Sequence, residues 1–229
     1  MSKRLSKSEH IRQAMLDRES LFQRFGYDST ASLQFILTHM LPLPGHILEI
    51  GTGRGRFLAA LAPHAQRITT LDLDPEQQRT AKCFVGRDHS RGKIRYVAHD
   101  AKHLPWPDAS FDSVVSVNTF HHLPRPEVVL EEMLRVLKPG GKLAVGDFSP
   151  RGFQIFDRIH GTEGKTHPRL ENGLANCAAL LRKHGCRVKR VTGRNQEVLV
   201  ATAPLAPRNN HDGKPQTATP GRNRKGQTS

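Results

Sequence analysis

The residues able to do chemistry gather in a few short runs. The first is Glu49-Ile50-Gly51-Thr52-Gly53-Arg54-Gly55, set between an apolar run and an amphipathic one. Glycines there let the backbone turn sharply and approach a ligand with no Cβ in the way. A dinucleotide fingerprint needs a glycine where Arg56 stands, and Gly55 comes one residue early, so the spacing argues against a nicotinamide cofactor. Asp72 closes the next apolar run, 21 positions past Gly51, where a carboxylate can accept hydrogen bonds from both hydroxyls of a ribose. A nucleoside is implied rather than a pyrophosphate. Asp74 competes for that role, but it directly precedes Pro75 and serves equally well as a helix N-cap.

A second group lies further on. His121 and His122 follow the apolar run FDSVVSV, and a histidine titrates near neutral pH, so either can serve as a base. The plainer alternative is that one caps a turn and the other packs on the Pro124 loop. Asp147 ends the next apolar run and either orients an acceptor amine or hydroxyl or is solvated at a loop entry. Asp157, His160, Glu163 and His167 form a polar cluster that suits an acceptor pocket, a nitrogen and oxygen metal site or an ordinary loop. Gly161 and Gly164 weaken any helix that would unite them, and no metal is assigned. Asp112 is read as structural.

The elements that must hold these residues follow from periodicity. Leu33, Ile36, Leu37 and Met40 recur at helical spacing. Strands are expected at 46–50, 67–71, 94–98, 111–117 and 142–147, with helices over 56–61, from Pro75 through Cys83, and over 126–137. Pro75 suits a first helical turn. Lys138-Pro-Gly-Gly141 is expected to be a turn that stops the last of these helices. Residues 149–173 break the rhythm with glycines, charges and a stripe of Phe153, Phe156 and Ile159, and are expected to form a lid or an insertion. A helix over 174–184 and a hairpin of 187–191 with 197–203 close the pattern, and no internal repeat is visible.

Taken together, ILEIGTGRGRFLAALA, LDLDPEQ, HDAKHLPWPDASFDSVVSVNTFHHL and LRVLKPGGKL resemble the class I S-adenosylmethionine-dependent methyltransferases, in particular their small-molecule branch, over roughly residues 30–147. The resemblance implies an α/β, Rossmann-like doubly wound sheet of seven strands, the last antiparallel, with helices on both faces. It implies S-adenosyl-L-methionine as cofactor. Glu49, Gly51 and Gly53 would line its methionine and ribose part, with Gly53 and Gly55 leaving room. Asp72 would hold the ribose hydroxyls and Leu73 would flank the adenine. Asp100 would take the adenine amino group while the backbone N–H of Ala101 meets the ring, and the backbone carbonyl of Asn118 would receive the cofactor's amino group. Methyl transfer is an in-line displacement governed by placement, and it needs a base only where the acceptor must lose a proton. His122, His121 and Asp147 are the candidates for that catalytic work.

Composition bounds the reading. The 229 residues carry a formal charge of +14, with 36% hydrophobic residues and 19 glycines, which suits one ordinary core and excludes collagen-like, disulfide-scaffold and wholly disordered chains. Residues 1–28 read as a basic N-terminal extension or helix, 29–204 as the catalytic domain with its insertion, and 205–229 as a disordered basic tail. The ends, 1–12 and 205–229, contribute +3 and +4. Such tails either attract RNA by counterion release or merely keep the chain soluble. Three cysteines, Cys83, Cys177 and Cys186, make no paired motif, and neither a leader nor an apolar span of membrane length is visible, so the cytoplasm is expected. Pro-Cys and Asn/Asp-Pro-Pro-aromatic motifs are absent, which argues against DNA-base acceptors. A small-molecule acceptor leads; an RNA or protein methyltransferase recruited by the tails, or a non-catalytic cofactor binder, are the rivals. The oligomeric state is not legible.

Overall fold

The computed structural model describes residues 6–205 apart from 91, 165, 167 and 171; the expected tail, beyond Leu205, and His167 lie outside the described residues. Seven strands form one sheet: β1 (His46–Ile50), β2 (Arg67–Asp72), β3 (Ile94–Ala98), β4 (Phe111–Val117), β5 (Leu137–Phe148), β6 (Arg187–Gly193) and β7 (Gln196–Thr202). Their order is β3-β2-β1-β4-β5-β7-β6, parallel throughout except that β7 runs antiparallel to both β5 and β6. This is the α/β sheet expected from the sequence. β1 and β4 are near-continuous apolar runs because both of their faces are covered by helices.

Seven helices flank the sheet: α1 (Lys7–Arg24), α2 (Ser29–Met40), α3 (Arg56–Leu61), α4 (Pro75–Ser90), α5 (Pro126–Val136), α6 (Pro150–Thr162) and α7 (Ala175–Lys183). One face carries a core in which Leu130, Met133, Ala178 and Leu181 pack on Leu48, Val114 and Leu143. The opposite face packs Ile36, Met40, Leu58 and Leu61 on Ile47, Val115 and Ala144. A third cluster, of Phe22, Tyr27, Phe148, Phe153, Ile155, Phe156 and Ile159, joins α1 and α6 around the end of β5.

One expectation is corrected. Lys138-Pro-Gly-Gly141 is not a turn ahead of a strand beginning at 142. It is taken into a longer β5, where Phe111 pairs with Leu137 and Ser113 already with Lys142, so the ladder shifts register between them. Backbone bonds from Ala203 to the Gly141 carbonyl and from Gly140 to the Pro204 carbonyl hold the segment in the sheet. The stretch after Ser149 is, for thirteen residues, a regular helix. Ser149 caps it by accepting from the Gly152 N–H, Pro150 fills its first turn, and the apolar stripe is buried rather than looped out.

α6 is seated on the turn of the β6–β7 hairpin. Arg194 and Asn195 both have positive φ, as a two-residue hairpin turn demands, and the Asn195 carbonyl accepts from the Ser149 N–H at 3.0 Å. A Cβ on Gly152 would stand 2.2 Å from that carbonyl oxygen. Gly152→Ala should therefore unseat α6 and lower stability by about 1–3 kcal/mol in denaturant unfolding; an unchanged midpoint would contradict this packing.

Candidate functional site

The strand order reverses between β1 and β4, so the loops at their carboxyl ends diverge and leave a crevice, as in other open α/β sheets. A cleft of about 680 Å³ opens there, within the roughly 300–1,000 Å³ typical of ligand sites. One end is lined by Gly51, Gly53, Asp72, Leu73, Asp100, Ala101 and Asn118. The other is walled by Phe22, Tyr27, Phe148 and Phe156, with His122 between.

The nucleoside end is built by short-range bonds. One oxygen of Asp72 accepts the Gly53 N–H at 2.7 Å, tying the glycine turn to the end of β2, and the other accepts the Asp74 N–H at 3.0 Å. Each carboxylate oxygen keeps a second lone pair for a hydroxyl. Asp74 itself accepts from the Glu76 N–H at 2.8 Å and acts at the start of α4. The Asp100 carboxylate accepts the Lys102 N–H at 2.9 Å, and this bond, with the Lys102 side chain, holds it below the usual carboxylate range.

Gly53 has φ of +49°, and a Cβ there would meet nothing within 4 Å, so the turn borders open space. Leu73 is 71% exposed, an apolar side chain standing uncovered at the rim. Asn118, also at positive φ, has a buried side-chain oxygen with no hydrogen-bond partner. These features fit S-adenosylmethionine: paired acceptors for a ribose, an apolar surface for a purine, and at Asn118 a buried side-chain amide oxygen, distinct from its backbone carbonyl, that can accept from an ammonium group.

Four proposed site residues do not line the cleft. Glu49 is 1% exposed and accepts from the Thr70 hydroxyl at 2.5 Å, on the sheet face below the turn. Burial, opposed by Thr70 and reinforced by Asp72, pushes its pKa up to about 8. Gly55 faces α4, where a Cβ would lie 2.9 Å from that of Ala81; it serves helix packing rather than making room for a ligand. His121 and Asp147 are buried and bonded to each other, Nδ1 to Oδ1 at 2.6 Å, so Asp147 does not reach an acceptor and His121 does not face one. His122 does face the cleft. Its edge meets solvent, yet its ring is crowded by protein, and loss of water together with the neighbouring His121 depresses its pKa to about 4.

The 157–167 cluster is divided among ion pairs: Asp157 pairs with Arg169, and Glu163 with Arg18, which also meets His160. Among the described residues no group of three or more side chains could hold a metal. Asp112 is structural, accepting from the His46 N–H and pairing with Lys138. The contribution of α1 is the part that charge counting missed. Met15, Arg18 and Phe22 recur at helical spacing and line the cleft, and the cluster Phe22, Phe25, Tyr27 is the signal that marks an aromatic wall.

Residues 48–145 match the family model described as a methyltransferase domain. The chain is 34% identical over 134 residues to the 27-O-demethylrifamycin SV methyltransferase of Amycolatopsis mediterranei, covering 56% of this chain and 49% of that protein. It is 37% identical over 105 residues to the fatty-acid O-methyltransferase of Mycolicibacterium smegmatis, covering 46% and 38%. It spans about half the length of the curated relatives it matches. An S-adenosylmethionine-dependent methyltransferase from Aquifex aeolicus shares the fold, with a TM-score of 0.57 and 22% identity over 86% of this chain and 99% of that one. Over residues 48–145 the chain thus matches a methyltransferase domain and has the fold of S-adenosylmethionine-dependent methyltransferases, and S-adenosylmethionine is the cofactor this similarity implies. No helix among the described residues is long and apolar enough to cross a membrane.

Two outcomes follow. Asp72→Asn should weaken binding of S-adenosylhomocysteine about 10- to 100-fold in calorimetry, the loss expected for charge-assisted hydrogen bonds. Glu49 has a folded-state pKa raised from 4.5 to about 8, so its proton-linked stabilisation is complete below about pH 4.5 and lost as pH rises toward 8. Glu49→Gln should flatten that decline in stability, worth on the order of several kcal/mol, in urea unfolding at pH 5 and pH 8.

Proposed function

We propose that the protein is an S-adenosylmethionine-dependent methyltransferase that transfers a methyl group to a hydroxyl of an apolar small molecule. The observation that carries this is the continuity of one cleft from Asp72, Leu73 and Asp100 to the aromatic wall. The rings there stack at close range: Phe148 and Phe156 at 4.2 Å, Tyr27 and Phe156 at 4.9 Å between centroids. Such walls favour a flat or aliphatic acceptor through buried area. The relatives' names, an O-demethylrifamycin and a fatty-acid O-methyltransferase, support the oxygen-acceptor class.

When bound, the cofactor supplies a methyl group on a positively charged sulfur that leaves as a neutral thioether. The chain's share is placement and a proton acceptor. On this reading, Asp72, Asp100, Ala101, Leu73, Gly51, Gly53 and Asn118 hold the cofactor, and α1 and α6 cover the acceptor and exclude water. His122, neutral at physiological pH, takes the acceptor's proton. Of the three arginines that line the cleft, the two beside the aromatic wall are compensated, Arg56 by Glu19 at 2.8 Å and Arg18 by Glu163, so an uncharged acceptor suits that end.

Purified protein should bind S-adenosylhomocysteine saturably and should move isotopically labelled methyl from the cofactor into an organic-soluble metabolite fraction. Absence of saturable binding would refute the cofactor reading. Label confined to RNA or protein would refute the small-molecule acceptor.

A further inference from the structure

The buried pair Asp147 and His121 is not needed to hold the cofactor, and it does not meet the cleft. Asp147 sits at the end of β5 with its side chain 2% exposed, and His121 lies in the short 3-10 turn Phe120–His122 after β4 with its side chain 1% exposed. Burying a carboxylate demands donors. Asp147 has three: Nδ1 of His121 at 2.6 Å, the His121 backbone N–H at 3.0 Å, and the Phe148 N–H at 2.8 Å.

Two of these come from the turn that carries His122, and the first fixes the proton of His121 on Nδ1. The rings of His121 and His122 lie 4.0 Å apart, and that of His121 is wedged between Phe148 at 5.4 Å and Phe153 at 5.5 Å. A carboxylate that served only to close a strand end would not need an imidazole laid against the cleft histidine nearest the aromatic wall.

We infer that Asp147 and His121 are positioning residues for His122: together they fix the turn that aims its ring into the cleft, and they carry a negative charge behind it. This rests on the reading of His122 as proton acceptor. When the acceptor hydroxyl gives up its proton, His122 becomes a cation, and the lost positive charge of the sulfonium reappears on the imidazole. Asp147 favours that cation, while His121 and His160, which face His122 from its own turn and from α6, oppose any additional charge there. Burial keeps His122 unprotonated in the resting protein, and Asp147 offsets part of the cost of its protonation during transfer.

The test uses the full chain with ring-labelled histidine, followed by NMR against pH, with S-adenosylhomocysteine calorimetry in parallel. Asp147→Asn keeps the shape and removes the charge. His122 should then titrate at lower pH than in the parent, or cease to titrate in the accessible range, with cofactor-product affinity within about twofold. His121→Gln, which keeps a donor, should lower the titration less. In the unsubstituted protein the hydrogen-bonded Nδ1 proton of His121 should shift as His122 titrates, a readout that stands if both variants fail to fold. An unchanged His122 midpoint in a folded variant, or a His121 proton indifferent to that titration, overturns the inference. Failure of the parent chain to bind S-adenosylhomocysteine strikes the proposed function instead.

Discussion

The cleft depends on one hydrogen bond between neighbouring strand ends, the Gly53 N–H donated to the Asp72 carboxylate at 2.7 Å. A turn of three glycines has little intrinsic reason to hold one shape, because glycine loses more conformational freedom on folding than any other residue. The carboxylate supplies that reason: it pins the turn after β1 to the end of β2 and, through its second oxygen, the start of α4. The Gly51 and Thr52 N–H groups add bonds to the Leu71 carbonyl at 2.8 and 3.1 Å. The same group that holds the turn therefore presents its remaining lone pairs to the cleft, and loop shape and ligand chemistry cannot be altered separately.

Two buried carboxylates show what decides whether such a group stays charged. Asp147 is met by three donors, and its burial is matched bond for bond. Glu49 is equally buried and receives one hydroxyl, which itself shares a 2.6 Å bond with Thr52, and it lies near the charge of Asp72. With too few donors, the cheaper state is the protonated one. The difference between the two surroundings lies in the number of partners and not in depth.

Much of the sheet was legible because parallel strands announce themselves as short apolar runs, and their alternation with helices leaves few topologies. β1, β3 and β4 fall where the pattern puts them. Asp72 and Asp100 could be singled out for the same reason: one ends β2 and the other lies two residues past β3, and both strand ends are marked. What periodicity could not supply was the direction in which a side chain turns. Glu49 and Gly51 are two residues apart, yet one lies beneath the sheet's helix layer and the other borders the cleft. His121 and His122 are adjacent and their rings lie 4.0 Å apart, yet only His122 lines the cleft. Lys138-Pro-Gly-Gly141 misled because turn residues also serve in a bulge when a neighbouring strand can bond around them.

The remaining gap lies in α1, whose charge hid its role. Arg18 and Arg56 both lie over the ring of Phe22, at 5.3 and 5.6 Å from its centroid, and each is answered by a carboxylate. A guanidinium held this way contributes its flat face and its stem to an apolar wall while its charge is spent locally. Arg18 and Arg56 therefore do not add to a polyanion-binding surface, although their charge alone would place them there. The Arg56 network reaches the Met15 carbonyl at 3.0 Å and the Ser29 hydroxyl at 3.1 Å, so α1 is fastened to the domain by polar bonds at the edge of the cleft and by aromatic contact with α6 over it. On the proposed reading, that arrangement lets the cover select an acceptor by shape and apolar area, because the two guanidinium groups over the Phe22 ring are already answered by carboxylates.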